Sequence, residues 1–164
     1  MCIRDRSGYR MSADEAYLII RGLRTLDVRL KKHYENAKIV INFLKKQKKI
    51  KEILYPHNPS SKNYKLWKKY YSGANGLFSI VVKSKKKSSV VKFVNSLELF
   101  GIGYSWGGFE SLVLLQDLRA RTKYTEPRKY FRFAKDEHIV RLHIGLEDPN
   151  DLIEDLKKAL RYIK

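Results

Sequence analysis

At 164 residues, with 43% hydrophobic and 12% aromatic residues, the chain is long and apolar enough to pack at least one core, and it is not a disordered polyelectrolyte. Its single cysteine, Cys2, excludes an internal disulfide and a cysteine-rich zinc site, and no apolar run approaches the ~20 residues of a bilayer span. The net charge of +18 raises nucleic-acid binding as a function class. Yet the lysines are spread through the whole chain, and the densest runs, at 45–51 and 83–87, follow apolar elements where cations are solvated or favoured by a helix end. No zinc-finger, RRM or homeodomain pattern accompanies them. A lysine-rich surface is the reading we carry, with a basic RNA-binding module as the alternative of another class.

Residues 1–6, MCIRDR, have no periodicity and no capping signal. They are similar to translated adapter sequence at the ends of fragmentary metagenomic reading frames, so a non-native leader is expected there. Ser12 and Glu15 make a capping-box pattern before an apolar run, which predicts a short helix over 13–21, interrupted at Gly22. Leu26, Leu30, Tyr34, Ala37, Ile41 and Leu44 then recur at helical spacing and predict a long amphipathic helix. His33 lies beside that stripe with no second ligand at metal spacing, so a surface or core-edge histidine is expected. A short strand over 53–55 ends at Pro56, and 57–61 is loop. Residues 62–71 read as a helix with Leu66, Trp67 and Tyr70 inward. After the breaker SGANG, residues 77–83 read as a buried strand, and Ser88 or Ser89 should cap a helix packing Val90, Val91, Phe93, Val94 and Leu97. The basic, aromatic stretch 118–138 is expected to be loop with a short extended piece. Residues 139–144 read as a strand. Asp148 and Pro149 open a last helix that buries Leu152, Ile153, Leu156, Ala159, Leu160 and Ile163. This order predicts an α/β (α+β) sandwich, helices packed on a small, mostly antiparallel sheet.

Two stretches carry chemistry. Residues 101–117, GIGYSWGGFESLVLLQD, hold four of the nine glycines within eight positions, with Tyr104, Ser105 and Trp106 between them. Glycines admit positive φ and close backbone approach, so this reads as a shaped turn between strands, able to present N–H groups and a hydroxyl to a small anion. In the second, VRLHIGLED at 140–148, Arg141 sits in an apolar strand context where a guanidinium needs a fixed anionic partner. Together they suggest a carboxylate site, with one arginine as a bidentate clamp. Glycine pairs between strands are more often only turns, and strand arginines more often keep their charge in water. The residues alone leave both readings open.

The runs RGLRTLDVRL (21–30), SGANGLFSIVV (72–82), FGIGYSWGGFESL (100–112) and VRLHIGLEDPNDLIEDLKKAL (140–160) decide further. From about residue 8 to the end the chain resembles the C-terminal third of the Cys/Met-metabolism family of fold-type I pyridoxal-phosphate enzymes, and within it the cystathionine β-lyase branch. Sister branches usually show S-L-G-G and R-L-S-V-G, where this sequence has Trp106 and His143.

The resemblance implies the C-terminal domain of a fold-type I transferase-like enzyme. Residues 7–24 would end the large cofactor domain, and 25–164 would form the substrate-binding domain. Arg141 would bind the substrate α-carboxylate. Ser105 would help hold that carboxylate and the reactive lysine, and Trp106 would shape the pocket and offer its backbone N–H, although plain packing of its ring is as good a reading. Tyr104 would be structural. The implied chemistry is β-elimination of L-cystathionine on pyridoxal 5'-phosphate, giving homocysteine, pyruvate and ammonia in methionine biosynthesis. The cofactor would be held mainly by a domain outside these 164 residues, which lack the Schiff-base lysine, so no catalytic residue is expected here and the isolated chain should be inert. Lys123, in RTKY, sits in a family-like context but follows the YSWGG run instead of preceding it, and is rejected. A cytoplasmic homotetramer without metal, membrane or nucleic-acid partners is expected, and the first helices should expose apolar surface. A related cysteine-S-conjugate β-lyase or cysteine desulfhydrase is the alternative within the class.

Overall fold

The computed structural model describes residue 8, residues 10–116 and residues 134–164. Helix α1 spans Ala13–Leu23 and opens on the expected capping box: Glu15 N donates to Ser12 Oγ at 3.2 Å, and Ser12 N to Glu15 Oε2 at 2.7 Å. Gly22 does not break it. The break comes after Leu23, where Arg29, in the following helix, reaches back to Gly22 O and Thr25 Oγ1. Helix α2, Leu26–Leu44, leads to strand β1, Ile50–Leu54, which begins earlier than the sequence suggests. Helix α3 (Tyr64–Tyr70), strand β2 (Leu77–Lys83) and helix α4 (Lys87–Asn95) follow. Then come β3 (Gly101–Ile102), β4 (Leu112–Gln116), β5 (Glu137–His143) and α5 (Pro149–Ala159), extended by a 3-10 turn over Leu160–Tyr162. Asp148 caps α5 by accepting from Asn150 N at 2.8 Å, with Pro149 in the first turn.

Among the described residues, five strands form one sheet in the order β1-β2-β5-β4-β3. Among the described residues three pairings are antiparallel and one, β3–β4, is parallel. This is the expected helix-on-sheet sandwich. Register puts Phe78 opposite Leu142 and Ile80 opposite Val140, with Val113 on the other side of Leu142. Those side chains join α2, α4 and α5 in one core that includes Ala37, Val40, Leu44, Phe93, Leu152 and Leu156. Because side chains alternate along a strand, Ile139, Arg141 and His143 fall on the opposite face.

Several expectations change in detail. Along α2 the buried residues are His33, Asn36, Ala37, Val40, Ile41 and Leu44, while Leu26 and Leu30 are exposed. Burial in this helix begins only at His33, about two turns after its start, so its first leucines lie outside the core. His33 is 2% exposed, not a surface histidine. In α3, Leu66 and Tyr70 are exposed; of the three residues expected inward, half-buried Trp67 alone packs so, its ring 4.3 Å from that of His57 and stacked on half-buried Tyr64. A seven-residue helix contacts the body along one narrow stripe. Helix α4 has Lys86 as its N-cap; Ser88 and Ser89 lie inside the helix, and Ser89 Oγ donates to Lys86 O at 2.8 Å. Helix α1 buries none of its residues, and Tyr17, Leu18, Ile20 and Leu23 are all exposed. Of the stretch expected as loop at 118–138, Glu137 and His138 belong to β5, and 118–133 lies outside the described residues, as does the leader 1–6.

Candidate functional site

The loop from β3 to β4, residues 103–111, is anchored at both ends. Gly101 N donates to Ser111 O at 3.0 Å, and Gly103 N to Val113 O at 3.3 Å. On its far side the loop lies against the chain that leaves β5: Leu146 N donates to Phe109 O at 2.8 Å. A Cβ on Gly145 would overlap the Phe109 carbonyl and the Glu147 carboxylate, so that crossing needs glycine. Gly107, with φ of 82°, makes the sharp bend within the loop. Glu147 holds the closing residue: its Oε1 accepts from Ser111 N at 2.6 Å and its Oε2 from Ser111 Oγ at 2.8 Å. Ser111 Oγ in turn accepts from Gly145 N at 2.9 Å.

Arg141 reaches this loop from the middle of β5. Six of the strand's seven residues are buried, and Arg141 is the exception, half-buried between Ser79 of β2 and Leu114 of β4. Its Nη2 donates to the carbonyls of Tyr104 at 2.6 Å, Gly103 at 3.2 Å and Ser105 at 3.4 Å. All of those bonds use one nitrogen. Among the described residues, Nη1 and Nε have no acceptor. The loop carbonyls therefore fix the guanidinium plane and occupy Nη2, which belongs to both two-point edges of a guanidinium, so Nη1–H and Nε–H are left as separate single donors for an anion and the expected bidentate clamp is not free in this structure.

The structure brings Arg141 and Ser105 together, through the Ser105 carbonyl and not its hydroxyl. Trp106 is the next residue, 61% exposed, and its N–H has no acceptor among the described residues. Its ring lies with Tyr104 and Phe109 on an uncovered apolar rim. Lys123 lies outside the described residues.

The chain also places two histidines behind the loop. His143 Nε2 is 3.1 Å from Gly107 N and 3.3 Å from Gly108 O, and the ring of His33 from α2 stands 5.1 Å away. Burial holds the His143 imidazole below the usual histidine range; the Gly108 contact opposes this, the neighbouring His33 reinforces it, and Glu147 and Glu110 oppose it. Asn36 Nδ2 donates to Gly145 O at 3.1 Å and Glu147 O at 2.8 Å, so α2 grips the same segment twice. Sequence reasoning left His33 at the surface or core edge and did not single out Asn36. Residues 33, 36, 37, 40, 41 and 44 do share one helical face, but that spacing alone does not say that its polar members find buried partners.

No group of three or more histidine, cysteine, aspartate or glutamate side chains among the described residues is placed to hold a metal ion. No helix among them is long and apolar enough to cross a membrane.

Comparison with known proteins decides the family. The model of the Cys/Met metabolism PLP-dependent enzymes matches residues 2–161. The chain belongs to this family. It is 41% identical over 153 residues to cystathionine beta-lyase of Bordetella avium, covering 93% of this chain and 37% of the relative. It is 40% identical over 154 residues to L-alanine/L-glutamate racemase of Wolbachia pipientis wMel, with 93% and 37% covered. In structure it resembles cystathionine gamma synthase from Xanthomonas oryzae pv. oryzae, with TM-score 0.76, 29% identity, and 90% of this chain and 38% of that one covered. The chain thus spans a little over a third of the length of the family members it matches. The Nη1–H and Nε–H groups of Arg141, without an acceptor among the described residues, are donors of the kind a carboxylate accepts, and an amino acid carried on the family's cofactor, pyridoxal phosphate, presents such a group.

Proposed function

We propose that this chain is the substrate-carboxylate domain of a PLP-dependent carbon-sulfur lyase of the cystathionine β-lyase type. The observation that carries the reading is the guanidinium of Arg141, lodged in an otherwise buried strand, tied to the loop by Nη2 and open at Nη1 and Nε. A cation so placed is there to receive a carboxylate, because an unpaired guanidinium in that position is otherwise a cost.

Arg141, with Ser105 and the Trp106 N–H beside it, would clamp the α-carboxylate of L-cystathionine. When bound, pyridoxal phosphate supplies an electron sink for the pair released at Cα. The clamp's contribution is orientation. A carboxylate fixed at two points decides which Cα bond stands perpendicular to the cofactor ring, here the Cα–H bond. Loss of the thiolate from Cβ and addition of one water then account for homocysteine, pyruvate and ammonia. The rim of Tyr104, Trp106 and Phe109 would wall the thioether side and exclude water once covered. Residues 7–24 would close the cofactor domain and 25–164 form the substrate domain of a cytoplasmic homotetramer. No residue of this chain is assigned to the cofactor phosphate.

The test is a chimera in which the remaining N-terminal length of the Bordetella avium relative precedes this chain. It should turn yellow with pyridoxal phosphate and release pyruvate from L-cystathionine. Faster racemisation of L-alanine than pyruvate release would overturn the lyase reading, and faster turnover of L-cysteine than of L-cystathionine would move it to a desulfhydrase.

A further inference from the structure

The lyase reading gives no work to the two buried histidines behind the loop. His33 Nδ1 lies 2.8 Å from Ile144 O, a carbonyl that can only accept, so the proton is on Nδ1 and Nε2 presents a lone pair. That Nε2 is buried and without a partner. On His143 the closer contact of Nε2 is the Gly107 N–H at 3.1 Å, a group that can only donate. Its Nε2 is then the lone pair and its Nδ1 carries the proton, and this Nδ1 is also buried and unpartnered. One ring therefore holds an orphaned donor, the other an orphaned acceptor, and their centroids are 5.1 Å apart at a tilt of 51°.

We propose that His33 and His143 are positioning residues that share the Nδ1–H tautomer and form a relay, Gly107 N–H to His143, His143 Nδ1–H to His33 Nε2, and His33 Nδ1–H to Ile144 O, which sets the Ser105–Gly107 turn against helix α2. Neither atom has a partner within hydrogen-bond reach, so the middle link closes through one water. The relay accounts for both orphaned atoms at once. Two neutral rings of the opposite tautomer would leave the Gly107 N–H facing an N–H and the Ile144 carbonyl facing a lone pair.

The arrangement requires both rings to be neutral. A proton on His143 Nε2 would oppose the Gly107 N–H, and one on His33 Nε2 would oppose His143 Nδ1–H. The titratable groups bearing on His143 are His33 from α2, Glu110 from the loop, and Glu147 beyond β5. Burial, reinforced by His33, holds the His143 imidazole below the usual histidine range against the Gly108 carbonyl and the two carboxylates, which favours its neutral form.

This inference rests on the proposed function only for the importance of the turn, and its test reads the relay itself. In the 164-residue chain labelled with ¹⁵N-histidine, imidazole spectra at pH 7.5 should show Nδ1 pyrrole-like and Nε2 pyridine-like for both His33 and His143. That is the minor tautomer of free histidine, so solvent exposure or an unfolded chain would give the opposite result. Finding His143 with the proton on Nε2, or doubly protonated, would overturn the relay whatever the chain's enzymatic role. His33→Leu should raise exchange of the Gly107 amide about tenfold while leaving exchange in β2 unchanged. An unaltered Gly107 amide in a folded His33→Leu protein would equally overturn it. Failure of the chimera to act as a lyase would leave both readouts in place.

Discussion

Arg141 Nη2 stands 2.6 Å from the carbonyl oxygen of Tyr104, so the cation of the candidate site is fixed by the same loop whose next residues, Ser105 and Trp106, line that site. Orientation and binding are therefore separable. Arg141→Lys keeps a charge but replaces the planar fork with a single flexible ammonium, which cannot hold the Tyr104 carbonyl and a carboxylate in one plane. In the chimera, the variant should lose about ten- to a hundredfold in kcat/KM for L-cystathionine, the equivalent of one or two charge-assisted hydrogen bonds. Arg141→Met should lose more. Unchanged kinetics for both would remove the carboxylate clamp from this position.

Glu147 offers a second handle on the loop. Its carboxylate accepts two hydrogen bonds from Ser111, whose side chain is fully buried and also accepts from Gly145 N. Glu147→Gln replaces one acceptor oxygen with a donor and sets an N–H against either the Ser111 amide or its hydroxyl. The expected cost is about 1–3 kcal/mol, the range for a buried hydrogen-bonding group left unmatched. Thermal unfolding should show it as a lower Tm, with faster exchange at the Ser111 amide. A Tm equal to that of the parent would mean that the clasp is made only in passing.

How much of this was legible in the sequence follows from what each residue answers to. Strand β2 is where the β-branched run placed it, and α5 starts on the Asp148 cap and Pro149, because those signals are local. Arg141 was legible as a charge out of place in an apolar strand. The buried polar residues were not. His33 and Asn36 enter the core because the chain after β5 brings the carbonyls of Ile144, Gly145 and Glu147 to them, more than 100 positions away. Nothing near residue 33 announces that supply of acceptors. Leu66 and Tyr70 fail the other way: their spacing is helical, but the element is too short to bury both.

Gly145 tests the loop crossing directly. A methyl group there would meet the Phe109 carbonyl and the Glu147 carboxylate, and the first of these is backbone that already accepts from Leu146 N. Gly145→Ala should destabilise the fold by about 1–3 kcal/mol, as overpacking does. It should also weaken the Arg141 site, because the loop can relieve the overlap only by lifting away. Gly73→Ala is the control, since no atom lies within 4 Å of a Cβ at that position. If the two variants unfold at the same temperature, the close crossing is not a constraint.

The pH dependence of stability separates the histidines from the carboxylates. Burial depresses His143 and also His57, where the charge of Lys38 adds to it. Above about pH 6.5, the value of an unperturbed imidazole, both rings are neutral in the folded and unfolded states, and they leave stability unchanged. As pH falls below that point the unfolded chain takes up protons that the folded rings resist, so stability drops, and it levels off only when the folded imidazoles also protonate. Glu137 acts lower. Its carboxyl is held down first by the hydrogen bond from Lys51 and then by the Ala134 N–H, so the stability it confers is present above the ordinary carboxylate range and is lost as pH falls through its lowered folded value. Urea unfolding across this range should therefore weaken in two stages. In His143→Phe the upper stage should shrink and the lower one remain. An upper stage of undiminished size in that variant would assign the loss to His57 alone.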